Sequence, residues 1–250
     1  MENGNSVLKT VKNVGVILSL FSAETPELGV TDICDITGLS RSKTHRLLSS
    51  LENIRLLKQN EATKKYSLGP KTLELAYAVQ SRLTYRDIAL PSMNALRDKT
   101  GETVAFHLFD GECRVCLFQA ESYQQLRRSY TDLGKQHPLY LGAPGKAILS
   151  FLPRKKKEQL IASYKLSAKE ENDLEHEMHD IVAKGYAVTS GEIKKEIVSI
   201  AAPLYDNQKR LVGALNVTGP RSRVGDREIK EYGALLLQTT EDLSTKLAVL

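Results

Sequence analysis

The stretch from Val30 to Leu68 constrains this chain more than any other. Apolar Val30, Ile33, Cys34 and Ile36 suit one side of a short helix that begins behind Gly29. Gly38 then supplies a tight turn between two helices, where a residue without a Cβ reverses the chain at little steric cost. Leu39 plugs the corner. Ser40 is placed to cap the next helix, its hydroxyl accepting from a free amide of the first turn. In that second helix Thr44, Leu47, Leu48 and Leu51 fall at i, i+3, i+4 and i+7, which is one buried stripe. On the opposite side stand Ser42, Arg46 and Asn53, flanked by Lys43, His45 and Ser49, with no acid before Glu52.

A helix with such an outward face suits the major groove of DNA: its first turns reach base edges and its basic flank meets phosphates. Taken alone, an ordinary helical hairpin with a solvated basic face shares the pattern. The residues after the helix favour the groove. Leu56–Lys58, Asn60–Thr63 and Lys64–Leu68 read as a β-hairpin with lysines near its tip. Helix, turn, helix and hairpin in that order make a winged helix-turn-helix. Arg41, Ser42, Lys43, His45 and Arg46 become the candidate groove residues, and Lys64 and Lys65 the candidate phosphate contacts. Charge agrees. Between Arg41 and Lys71 there are eight Lys/Arg against two Asp/Glu, an excess of six, while the whole chain carries +5. The basic excess therefore sits on this one module.

At 250 residues the chain has room for two domains. A hydrophobic fraction of 41% and a charged fraction of 26% fit a globular protein. No apolar run approaches the roughly 18 residues of a membrane span. The first residues, Met1-Glu2-Asn3-Gly4-Asn5, lack a basic-then-apolar signal pattern, so a cytoplasmic location without membrane attachment is expected. Three cysteines do not make a disulfide framework. Cys113 and Cys116 have C-x-x-C spacing but lie in an alternating stretch, where residues three apart face opposite sides, so packing is the expected role rather than metal.

Upstream, Val7, Val11, Val14, Leu18 and Phe21 are spaced as one helix face that closes the core of the winged unit. Downstream, Gly69-Pro70 ends the hairpin and opens a helix to about Leu83. Leu75, Ala76, Val79 and Leu83 mark one side of it and Leu73, Tyr77 and Gln80 another. Two apolar stripes suggest pairing with a second copy, and a twofold dimer reads two half-sites where one helix reads few base pairs. From Thr84 the texture changes: a helix over about 86–99, strands over 103–109 and 114–119, and a further strand over Arg127–Tyr130. A loop-to-helix segment comes next at Leu141–Leu149, then an acidic helix from Glu170 to Lys184 ended by Gly185. Strands near 186–189, 197–205 and 210–218 and a closing helix from Gly225 complete an antiparallel α+β domain. The expected division is 1–69 for DNA binding, 70–83 as a linker helix and 84–250 for a ligand.

Ser199, Asn216 and Thr218 are small polar residues on otherwise apolar strands, suited to line a pocket through a few hydrogen bonds. The loop at Gly142–Gly145 opens a helix whose free amides favour a carboxylate or phosphate, with Arg114, Arg127 or Arg128 adding charge if they face inward. No catalytic constellation is legible. There is no G-x-S-x-G, Ser199 has no neighbouring His, and the five histidines are scattered. No catalytic residue, metal or cofactor is expected.

The chain resembles the IclR family of bacterial transcription regulators over nearly all its length. The resemblance rests on Gly38–Leu48 as recognition helix and Tyr66–Gly69 as wing exit. It continues through Leu141–Leu149, Gly185–Val188 and Ile200–Pro203 as effector-domain segments. It implies a winged-helix N-domain, a linker helix and a GAF-like C-domain with an antiparallel sheet and helices. It also implies a homodimer or homotetramer on a double-stranded operator, controlled by a small metabolite, often a carboxylate. Repression is the expected sign. Carried over, the ligand-facing set is Ala143, Thr189, Ile197, Ser199, Asn216 and Thr218. Thr189 stands where an aspartate is frequent and Ser199 where a cysteine is; Asn216 and Thr218 stand where serines occur. The competing reading is a metabolite sensor or metabolic enzyme whose helical N-domain serves oligomerisation.

Overall fold

The computed structural model describes residues 8–247 apart from 23, 83, 84 and 132, and for 79–82 the backbone alone. It divides into two compact units, residues 1–83 and 84–250.

The first unit contains α1 (Lys9–Leu18), α2 (Val30–Thr37), α3 (Arg41–Asn53), β1 (Leu57–Gln59), β2 (Tyr66–Leu68) and α4 (Pro70–Arg82). Its core gathers Ile17, Phe21, Leu28, Ile33, Leu47, Leu48, Leu51, Leu57 and Tyr66. The stripe expected on α3 is buried, including Thr44. Gly38 adopts the left-handed conformation, φ 68°, and its amide donates to the Cys34 carbonyl at 2.8 Å, so the turn between α2 and α3 needs the freedom of glycine. Gly69 is required for another reason: a Cβ there would lie 2.3 Å from the Arg55 carbonyl oxygen.

Several details differ from the sequence pattern. On α1 the inward face is Val14, Ile17 and Leu18, while Val11 is exposed, and Val7 lies outside the described residues. The helix starts at Lys9 and a 3.6-residue repeat carries Val11 past the edge of the core. Ile36 is likewise exposed on α2. Ser40 holds the N-cap position of α3 in extended backbone, but its hydroxyl forms no capping bond; its carbonyl alone accepts, from Thr44. On α4, Leu73, Leu75 and Tyr77 are exposed; the side chains of Val79 and Gln80, and Leu83 as a whole, lie outside the described residues.

The second unit contains α5 (Tyr85–Thr100), β3 (Thr103–Phe109), β4 (Arg114–Ala120), β5 (Gln136–His137), α6 (Gly142–Phe151), α7 (Arg154–Ser163) and α8 (Ala168–Lys184). It ends with β6 (Ala187–Ser190), β7 (Ile197–Tyr205), β8 (Leu211–Pro220) and α9 (Asp226–Lys246). The strands form a six-stranded antiparallel sheet in the order β5-β4-β3-β8-β7-β6. Side chains alternate across it. Ala187, Ala201 and Ala214 share a core with Ala143 and Ala147 of α6 and with Leu174, Met178 and Ile181 of α8. Small residues on both sides let α6 approach the sheet closely, and Gly145 makes room for the segment that leads into the helix, since a Cβ there would lie 2.6 Å from the Leu139 carbonyl oxygen. The alternate residues, among them Phe106 and Phe118, turn towards α5, where Tyr85 meets Phe106 edge-on.

A register shift between Phe106 and His107 positions the site. Phe106 pairs with Phe118, but His107 pairs with Cys116, so the bulge turns Arg114 to the side that His107 occupies. Cys113 lies in the turn before β4 and Cys116 is buried within it. Arg127–Tyr130, expected as a strand, is irregular backbone. The Tyr130 amide is taken by the Gln119 side-chain oxygen at 2.9 Å instead of a strand partner.

Candidate nucleic-acid interface and ligand pocket

The winged unit presents its basic residues outward. Arg41, Ser42, His45 and Arg46 are exposed on α3, Lys43 is half-buried, and Lys64 and Lys65 are exposed at the hairpin tip. Among the described residues none of these cationic side chains forms an ion pair or hydrogen bond within the chain, so their donors are available to a partner. The hairpin is tied to α3 by Glu52, whose carboxylate accepts from the Gln59 amide at 3.1 Å. Its tip is shaped by Asn60, whose side-chain oxygen accepts from the amides of Ala62 and Thr63 at 3.0 and 3.2 Å. That turn places Lys64 in the left-handed region, φ 56°.

The sheet domain does the opposite. A cavity of about 40 Å³ lies between the N-terminus of α6 and the ends of β6, β7 and β8. Of the six candidate ligand residues, Ala143, Thr189, Ile197, Ser199 and Thr218 line it. Asn216 does not. It lies one layer behind, fully buried, with its amide nitrogen 2.8 Å from the Tyr130 hydroxyl, 3.0 Å from Ser199 and 2.5 Å from Thr218. Tyr130 and Ser199 in turn lie 3.1 and 3.0 Å from the Thr218 hydroxyl. Those two contacts among three hydroxyls use two of their three protons, so the cluster has donor capacity beyond its own bonds.

Cationic groups add to this donor character. Arg114 is buried; it donates to His107 Nδ1 at 3.0 Å and to the Leu141 carbonyl at 3.4 Å. Because Nδ1 accepts, the ring proton of neutral His107 resides on Nε2. Burial, and then the Arg114 cation, holds the His107 pKa well below its ordinary range. Arg128 lines the cavity and stacks over Tyr130. Arg127 turns away to Glu121 at 2.5 Å.

The amides at the start of α6, expected to be free, are already engaged. The Gly142 amide donates to Glu192 at 2.9 Å and the Ala143 amide to the Thr189 hydroxyl at 3.1 Å. Glu192 also pairs with Lys146 at 2.5 Å, as does Glu177 from α8. Burial opposes the charge on Lys146, but the two carboxylates outweigh it and raise its pKa. Sequence reasoning does not select Tyr130, Lys146 or Glu192. Lys146 carries a signal: a lysine in the apolar run Ala143–Leu149 needs a buried partner. Among the described residues no three His, Cys, Asp or Glu come together as a metal site. No described helix is long and apolar enough to cross a membrane.

A winged helix-turn-helix with an open basic face, followed by a sheet domain with a pocket into which arginines and hydroxyls converge, fits a DNA-binding transcription regulator. Comparison with known proteins makes the assignment specific. The family description "Bacterial transcriptional regulator IclR C-terminal" matches residues 77–245, and "IclR helix-turn-helix domain" matches residues 10–61. The chain belongs to the IclR family. It is 32% identical over 229 residues to the HTH-type transcriptional regulator KipR of Bacillus subtilis, covering 89% of each chain. It is 23% identical over 235 residues to the acetate operon repressor of Salmonella typhimurium, covering 91% of this chain and 86% of that one. An IclR-family regulator from Brucella abortus has the same fold, with a TM-score of 0.85 at 23% identity over 99% of this chain and 95% of that one. These relatives are transcription regulators, which removes the enzyme alternative.

Proposed function

We propose that the protein represses transcription from a twofold operator and that a small carboxylate metabolite controls it. Residues 1–69 bind the DNA, 70–83 act as a linker helix, and 84–250 receive the effector, all in the cytoplasm where the operator resides. Arg41, Ser42, Lys43, His45 and Arg46 enter the major groove, with Lys64 and Lys65 on the backbone. The exposure of all these side chains but half-buried Lys43, and the absence of internal partners for the cationic ones among the described residues, support this reading. Exposed Leu73, Leu75 and Tyr77 on α4 support pairing with a second copy, as a dimer or within a tetramer. The repressive sign follows the Salmonella relative's name.

One observation carries the effector class: the cavity is lined by Arg114, Arg128 and the hydroxyls of Tyr130, Ser199 and Thr218. An anionic oxygen is the complement of such a lining. The test is to incubate the protein with sheared genomic DNA at about physiological salt, where non-specific binding is weak, and to sequence what it retains. Recovery of an inverted repeat near a few promoters is expected, with release by carboxylates that the neighbouring genes nominate. No enrichment, at this salt or a lower one, overturns the proposal.

A further inference from the structure

At about 40 Å³ the cavity has space for little more than water, whereas ligand pockets typically measure about 300–1,000 Å³. Some part of its wall has to move. On most sides the wall is sheet and α6, together with Arg128 and Tyr130 on irregular backbone that Thr103 and Gln119 tie to the sheet. On one side it is Glu192, Ile193 and Lys194, three consecutive residues of the turn between β6 and β7. This turn is closed at its own neck: the Gly191 amide donates to the Ile197 carbonyl at 2.9 Å and the Ile197 amide to the Lys194 carbonyl at 3.0 Å. Its base is clamped by Arg221, whose amide donates to the Glu196 carbonyl at 2.8 Å and whose guanidinium donates to the Ser190 hydroxyl. Beyond that base the flap is attached to the domain through Glu192, on the Gly142 amide and on Lys146. Ile193 lies over Gly142, where a Cβ would come within 2.9 Å of its Cδ1, yet it remains 51% exposed.

We propose that Glu192 is both the latch of this flap and an internal competitor for the effector: an anionic effector binds by replacing the Glu192 carboxylate on Lys146 and the Gly142 amide. This rests on the reading of the cavity as the effector site. The charge of Lys146 decides the class of ligand. Its side chain is 8% exposed, and its second carboxylate partner, Glu177, is 47% exposed and so better screened by solvent. Opening the flap leaves Lys146 short of the less exposed of its two carboxylates, Glu192 at 27% against Glu177 at 47%. A carboxylate restores that anion; a neutral polyol or a cation does not. The effector is therefore a small anion, read as a carboxylate because it takes the place of one, that reaches Lys146, a residue outside the present lining of the cavity.

The test uses the full chain and acetate, the fragment that Glu192→Ala removes. Thermal melting is compared in sodium acetate and in sodium chloride of equal ionic strength. Acetate is expected to stabilise E192A more than E192Q, whose amide still fills the space without charge, and E192Q more than the unmodified protein. Adding Lys146→Met to E192A should abolish the gain. If E192A does not fold, the comparison of E192Q with the unmodified protein carries the test. An equal acetate response in these proteins overturns the latch. Operator retention in the same samples separates this from the broader reading. A selective acetate response without carboxylate control of DNA binding leaves the latch and removes the effector assignment. Carboxylate control without a selective response removes the latch alone.

Discussion

Arg46 and Arg114 are both arginines on regular elements, and their surroundings differ completely. Arg46 stands exposed on α3 with no side-chain partner among the described residues. Arg114 is 3% exposed and held against His107 and the Leu141 carbonyl. The contrast extends to the polar groups around each. Arg41, His45 and Lys65 present donors outward, whereas Tyr130, Ser199, Asn216 and Thr218 largely satisfy one another. A surface that keeps its donors in water costs the fold little to maintain, because no group is desolvated until DNA arrives. A buried network is part of the fold, so any ligand that joins it must work through bonds already made. Substitutions in the first region should therefore change binding and spare stability; those in the second should change stability first.

The sharpest test of that contrast is Asn216→Leu, which keeps the volume and removes the donor shared by three hydroxyls. Urea unfolding followed by tyrosine fluorescence should lose about 2–3 kcal/mol, the cost of leaving buried polar groups short of a partner. A loss below about 0.5 kcal/mol, the range of an ordinary surface change, would mean that the cluster is not structural. The mirror experiment is Arg46→Ala. Stability should stay within about 0.5 kcal/mol, while discrimination between operator and random DNA falls by about 1–3 kcal/mol, the worth of a bidentate arginine–guanine contact. Equal losses on both DNAs would assign Arg46 to the backbone.

The same contrast explains which features are readable from the sequence. The exposed region is local: a stripe at Thr44, Leu47, Leu48 and Leu51 fixes which side of α3 is buried, and whatever lies opposite is outward. Gly38 is equally readable, since its left-handed turn depends on neighbours only. The pocket is not local. Tyr130 meets Thr218, 88 positions later, and Lys146 meets Glu192 across 46. The polar residues on β7 and β8 are visible against apolar strands. Which of them face the cavity depends on helix α6 and the flap, so the sequence puts Asn216 in the wall although it stands behind it. The Arg127–Tyr130 segment, leading to Leu133-Gly134, reads as a strand in the sequence, and only the side chain of Gln119, on a neighbouring strand, shows why it is not one. The amides of α6 look free because nothing in their own segment reveals that Glu192 and Thr189 reach them.

Buried polarity also makes the second unit sensitive to pH. His107 is fully buried, and desolvation together with Arg114 holds its pKa well below the ordinary 6.5. The unfolded chain takes up a proton as pH falls through about 6.5 and the folded chain does not, so stability present above that pH is lost below it. The unfolding free energy is therefore expected to fall progressively as the pH is lowered below about 6.5. His107→Gln should remove that part of the slope. An identical pH profile for the two proteins would show that His107 takes up its proton without unfolding.

The smallest effect belongs to the wing, and there the choice of residue matters. Lys64 sits at φ 56°, so replacing it alters the turn as well as the charge. Lys65, the next residue, has no such constraint and is exposed at the entry to β2. For Lys65→Ala the plot of log affinity against log salt should flatten by about 0.9, the release of one phosphate counterion, and the loss should be the same on operator and random DNA. A loss confined to the operator would put Lys65 on a base edge in the groove and extend sequence reading from α3 to the hairpin. An unchanged salt slope would take the wing off the phosphates and leave the recognition helix as the main electrostatic contact.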